Sequence, residues 1–113
     1  MTSEGFDRTT GHATRGRWTA MHGPTEKGEA TVVIMGHPSN HDAPQRMRIW
    51  EAGKVFFNYV PAQEHDWRIE PGQTVVLRYR LVVQDGRMAP AEVEKYWDSY
   101  VDGAASDAGA ELE

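Results

Sequence analysis

The densest run of chemically capable side chains is GHPSNHDAPQRMRIW, residues 36–50. It holds His37, Asn40, His41, Asp42, Arg46 and Arg48. Imidazole and carboxylate suit zinc and similar ions. The His37-x-x-x-His41 spacing shares one face only on a helix, and Pro38 and Pro44 argue for a loop instead. No metal ligand is therefore assigned, and no cofactor is expected. Binding of a polar ligand fits a loop better. A structural role competes: Asn40 and Asp42 making local turn hydrogen bonds, with His37 closing a strand end.

Arg46 and Arg48 follow the loop directly. A guanidinium fork grips a carboxylate, a phosphate or vicinal sugar hydroxyls, although charged residues on strands more often form a solvated face. Trp18, Trp50 and Trp67 offer indole faces for a sugar ring, against the commoner fate of tryptophan as a core or half-buried strand residue. His22 stands before a Gly-Pro turn, Asn58 interrupts an aromatic strand, and Gln63 follows Pro61. If a concave surface gathers His22, His37, Asn58 and Gln63, a histidine with a nearby carboxylate forms an acid/base pair for sugar-ring chemistry. The candidate catalytic residues are thus His37 and His22. The candidate ligand-binding residues are Asn40, His41, Arg46, Arg48, Asn58 and Gln63.

Positioning these groups falls mainly to β-strands. Residues 15–22 partly alternate, and 29–35 (EATVVIM) read as a strand buried on both faces. The two are expected to form a hairpin around GPTEKGE, residues 23–29. RMRIW (46–50), a short turn EAG (51–53), KVFFNYV (54–60) and QTVVLRYRLVVQ (73–84) supply further strands. Trp67 and Ile69 are expected to pair with a neighbour, EPGQ (70–73) makes a tight turn, and Arg80 is expected to pair with Glu70 or Asp85. One helix starts near Pro90, with Val93, Tyr96, Trp97, Tyr100 and Val101 as its apolar stripe. Residues 1–13 read as a disordered lead-in, 14–102 as the folded domain and 103–113 as a disordered acidic tail. Strands followed by a single late helix predict a mainly β fold, an antiparallel β-sandwich or part of one.

Bulk properties narrow the function. The chain has 113 residues, enough for one modest core. Its longest apolar runs fall far short of the roughly 18 residues that a membrane span needs. The first 17 residues carry no apolar segment of a secretory signal, so a cytoplasmic location is the default expectation. With no cysteine, disulfides, thiolate metal sites and cysteine nucleophiles are excluded. A net charge of −5 disfavours nucleic acid as a partner. Six of the nine arginines stand in pairs spaced by two, at 15/17, 46/48 and 78/80, which on a strand puts both on one face.

The order of these signals resembles the C-terminal part of the DUF6807 family. The resemblance rests on RGRWTAMHGPTEKGEATVVIMGHPSNHDAPQRMRIW, then VFFNYVPAQ, IEPGQTVVLRYRLVVQDG and a final YWDSY helix, roughly residues 13–101. It implies part of a galactose-mutarotase-like supersandwich and an association with carbohydrate metabolism. Family members are usually longer, so it also implies a shortened or split form. The family also carries the label methane oxygenase PmoA. Membrane methane oxygenase chemistry needs spanning helices and copper ligands, which this sequence does not offer.

The expected function is therefore carbohydrate binding or sugar-ring chemistry. The alternative is a non-catalytic structural or oligomerisation module, because an incomplete sandwich exposes edges that a second copy or a partner chain can cover. A metal-dependent oxygenase ranks below both.

Overall fold

The computed structural model describes residues 1–50 and 57–107. A hairpin of β1 (Trp18–Thr25) and β2 (Gly28–Gly36) begins the main sheet. Its turn is tighter than expected. Pairing runs to Thr25 opposite Gly28, leaving only Glu26 and Lys27 between the strands. Gly28 has φ +137°, a value that disfavours a side chain. Pro24 is tolerated because β1 is an edge strand.

β3 (Met47–Ile49) and β4 (Phe57–Tyr59) form a separate two-stranded antiparallel ribbon. The expected turn at 51–53 and strand start at 54–56 lie outside the described residues. β5 (Tyr79–Asp85) adds to β2, giving the order β1-β2-β5 with antiparallel neighbours. The long strand expected over 73–84 is thus paired only in its second half, because no described strand lies beside residues 73–77. Trp67 and Ile69 likewise fall in no described strand.

One face of the main sheet carries the core. Alternation puts Trp18, Ala20, Val33, Met35 and Val82 on it, and α1 (Pro90–Asp107) covers it with Val93, Trp97 and Tyr100. Tyr96, expected in the same stripe, is 39% exposed and reaches instead toward Gln84. Thr31 is a polar residue inside an apolar strand with a definite task. Its hydroxyl donates to the Gly86 carbonyl at 2.7 Å and accepts from the Met88 N–H at 3.0 Å, fixing the turn that launches the helix. Pro90 occupies the first helical turn as expected, and Glu92 accepts from the Ala89 N–H in half of a capping box. The helix runs on to Asp107, into the stretch expected as tail; residues 108–113 lie outside the described residues.

Among the described residues, the opposite face is covered mainly at one end. There the ribbon docks through Met47, fully buried, whose sulfur accepts from the Thr19 hydroxyl at 2.7 Å. Tyr59 stacks on Tyr79 and donates to the Gly16 carbonyl at 2.9 Å. Burial pushes the Tyr59 phenol up, so it stays a neutral donor. Beyond the ribbon, Leu81 and Val83 on this face are 64% and 72% exposed. The fold is mainly β and antiparallel with one C-terminal helix. Its two described sheets touch through the Thr19–Met47 and Tyr59–Tyr79 contacts.

The expected lead-in is not loose. Thr2 is buried and bridges Thr19 on β1, and Ser3 N–H donates to the Trp18 carbonyl at 2.9 Å. Residues 13–15 then lie along β3: Ala13 N–H donates to Met47, and Met47 N–H donates to Thr14, at 2.8 and 3.0 Å. The polar composition that suggested disorder instead serves backbone pairing, which composition does not report.

A three-way contact ties helix to sheet. Glu94 accepts two hydrogen bonds from the Arg17 guanidinium, at 2.6 and 2.9 Å, and one from Trp18 Nε1 at 2.9 Å. The Arg17 bond, with help from Trp18, holds the Glu94 carboxyl below its ordinary value of 4.5. A depressed carboxyl stabilises the fold above that value, and the contribution fades as pH falls through the lower folded value. Glu94→Gln should cost about 1 kcal/mol at neutral pH, after discounting for its partial exposure. It should also flatten the loss of stability below about pH 4.5. Thermal melts of both proteins across pH 3–7, on the order of half-unit steps, check this; parallel curves would refute it.

Candidate functional site

The loop that opens the sequence argument becomes a set of separate structural contacts. Asn40 is buried and exchanges two hydrogen bonds with the backbone of Arg78, Nδ2 to O at 2.8 Å and N–H to Oδ1 at 2.7 Å. Its amide stands where a strand neighbour would stand. His37 N–H also donates to the Arg78 carbonyl, so the loop continues the pairing of β5. Asp42, at φ +59°, accepts on both carboxylate oxygens from Arg15 Nη2, while Nη1 donates to the Asp42 and Pro44 carbonyls. His41 stacks on Trp67, centroids 4.2 Å apart and planes within 3°. His37 Nδ1 faces the Ser39 hydroxyl and N–H. Burial, with the Arg78 charge adding to it, lowers the His37 pKa and favours the neutral ring. The three groups of the weighed metal reading are thus turned to different partners.

The expected polar floor is not assembled. His22 pairs opposite Thr31 near the hairpin turn, whereas His37 follows the far end of β2. The separation along the strand is about 20 Å. His22 contacts Arg87 and lines a separate cavity of about 360 Å³ beside Met21 and Phe57. Asn58 is exposed opposite Arg48. Arg46 is half-buried and donates to the Ala13 carbonyl at 2.8 Å, which makes it a clamp on the lead-in.

Three residues singled out in the sequence, Arg48, Trp50 and Gln63, do converge. Arg48 and Gln63 line a cleft of about 730 Å³ together with Arg8, His12, Trp50 and Val60. Its walls are the lead-in turn, the end of β3 and the segment after β4. The turn is built by Asp7, whose Oδ1 accepts from the Thr9 and Thr10 N–H groups, while its carbonyl accepts from Gly11 N–H at 2.8 Å. Gly11 is required there: a Cβ would stand 2.8 Å from the Asp7 carbonyl oxygen and from Ile49 Cδ1. Arg8 Nε donates to the Trp50 carbonyl at 2.9 Å, joining the turn to β3.

Inside the cleft, His12 Nδ1 accepts from Ile49 N–H at 3.2 Å. In the neutral ring the proton therefore sits on Nε2. That nitrogen stands 3.5 Å from Gln63 Nε2, donor facing donor, so neither group spends hydrogen-bonding capacity on the other. Trp50 is 44% exposed, and the Arg48 guanidinium lies over its ring at 5.4 Å. Trp18, by contrast, is core, and Trp67 is occupied by His41. Arg8 and His12 lie in the lead-in, whose small polar composition reads as disorder and hides them. The signal for them was the Asp-x-Thr-Thr-Gly run at 7–11, a side-chain-capped turn.

The model of a family of unknown function, DUF6807, matches residues 1–98. The match therefore includes the lead-in turn and the cleft. No curated protein and no solved structure matches the chain.

The contrast between Asn40 and the cleft is testable. Asn40→Ala removes two part-buried hydrogen bonds to the Arg78 backbone and should cost about 1–2 kcal/mol of stability. Chemical denaturation measures this; a loss within experimental error would show that Asn40 is not structural.

Proposed function

This chain belongs to the DUF6807 family, and on that premise we propose that it is a carbohydrate-binding protein whose ligand sits in the cleft between the lead-in turn and β3. One observation carries the reading: an exposed indole, Trp50, stands beside Arg48, Gln63 and His12 in one cleft. A sugar ring presents an apolar face and a belt of hydroxyls. Trp50 matches the first and the polar groups match the second. The volume falls in the ordinary range for small-molecule sites, about 300–1,000 Å³.

Binding is favoured over sugar-ring chemistry. Acid/base catalysis needs two titratable groups across the ring. The described residues lining the cleft include one histidine and no carboxylate, so they do not supply such a pair.

Trp50→Ala should weaken sugar binding on the order of tenfold, the worth of about 1.4 kcal/mol. Tryptophan fluorescence titrations with a panel of monosaccharide glycosides, repeated by calorimetry on the variant, check this. Unchanged affinity in Trp50→Ala would remove the cleft from the reading.

A second reading has its own support: a second copy of this chain pairing along β5. The β1 edge is partly covered by residues 1–3, whereas among the described strands β5 has a neighbour on one side only. Antiparallel self-pairing about Val82 sets Leu81 opposite Val83, Arg80 opposite Gln84 and Tyr79 opposite Asp85. It opposes no like charges, and it sets the exposed Leu81 and Val83 side by side. Light scattering over a concentration series should show a dimer that Val83→Lys dissociates; a monomer at all concentrations would end this reading.

A further inference from the structure

We infer that the ligand of the Trp50 cleft carries an aromatic aglycone, and that this aglycone fills the adjoining cavity walled by Phe6, Met21 and Phe57. The inference rests on the carbohydrate reading and names its ligand class. The cavity, of about 360 Å³, shares Arg8, Ile49 and Trp50 with the cleft. The two spaces therefore adjoin at Trp50, and a substituent on a sugar in one has the other beside it. An apolar cavity of about 150 Å³ is enough to take a benzene ring.

The lining selects an apolar group. Phe6, Met21, Ile49, Trp50 and Phe57 supply ring, aliphatic and thioether surface. The polar neighbours are turned to the protein. Thr2 Oγ1 accepts from the Glu4 and Phe6 N–H groups, and the Thr19 hydroxyl donates to the Met47 sulfur. Asp7 Oδ1 holds the turn at Thr9 and Thr10, and His22 contacts Arg87. A hydroxyl-bearing ring would lose its water partners against such a wall and gain few in return. A flat aromatic ring matches the phenyl groups and the Met21 thioether instead.

The walls are held in place by the fold itself. Phe57 packs edge-on against Tyr59, centroids 5.4 Å apart. Phe6 is set by a closed turn of the lead-in. Its carbonyl accepts from the Thr2 N–H at 2.8 Å, and the Gly5 N–H donates to the Thr2 carbonyl at 3.0 Å. Gly5 takes φ +86°, which closes the turn. Phe6 is thereby fixed while still 38% exposed. A ligand seated against it buries surface that the fold leaves open, with little ordering cost.

The test compares methyl with phenyl β-glycosides of glucose, galactose and xylose by calorimetry on the whole chain. For the sugar that binds, the phenyl form should bind at least about tenfold more tightly, with a more negative heat-capacity change. Met21→Trp, which lies outside the cleft, should fill the cavity and bring the phenyl glycoside to the affinity of the methyl one. Phe6→Ala should cut the advantage by roughly threefold or more. It decides alone if Met21→Trp does not fold, judged by its thermal melt. Equal affinity of the methyl and phenyl forms, or an advantage that survives in the folded variants, overturns the inference and leaves the carbohydrate reading standing. Phenol binding as tightly as the phenyl glycosides, or no binding by any glycoside, removes both.

Discussion

The burial of one sheet face under a single helix is the constraint on which everything else depends. A chain of this size has room for one core, and here it consists of Trp18, Ala20, Val33, Met35, Met88, Val93, Trp97 and Tyr100. Two polar devices fix how that apolar contact closes. The Thr31 hydroxyl sets the turn into α1, and Glu94 ties the helix to Arg17 and Trp18. Apolar burial is non-directional, so it supplies the drive but not the angle. The directional bonds choose among the ways the helix could lie, and Arg17 adds its guanidinium over the Trp97 ring.

With that face satisfied, the ribbon and the lead-in gather on the other face and at its edge. The ribbon of β3 and β4 covers the end near Thr19 and Tyr79, and the lead-in covers the start of the outer edge of β1 and runs along β3. The cleft arises where these secondary layers meet. It is carried by a turn and two short segments resting on the rigid sheet, an arrangement common to binding sites. Its residues come from three widely separated parts of the chain, near positions 8–12, 48–50 and 60–63.

Much of the architecture was legible from sequence. The β1–β2 hairpin, β5 and α1 follow from hydrophobic alternation, a helical stripe and turn residues. Alternation also put Arg46 and Arg48 on one face, but it did not separate their roles. Arg46 turns to the Ala13 carbonyl and Arg48 to the cleft. The polar loop 37–42 misled because the same residue types serve turns and ligand sites alike. Asn40 binds backbone, Asp42 binds Arg15 and His41 binds an indole. The lead-in misled in the opposite direction. Its small polar residues look unstructured, yet its backbone groups find partners on β1 and β3.

Sequence alone determined the composition of each element, the family, and the exclusion of cysteine chemistry, because these depend on residue identity and local period. Tertiary structure decided which polar residues meet. His22 and His37 stand at opposite ends of a strand pairing that no local pattern specifies. Arg8, His12, Arg48, Trp50 and Gln63 share a cleft only because the lead-in adds to β3. Such pairings are non-local. Their partners are chosen by the net cost of closing the chain and satisfying every buried backbone group, a sum over the whole fold that no single stretch of sequence carries.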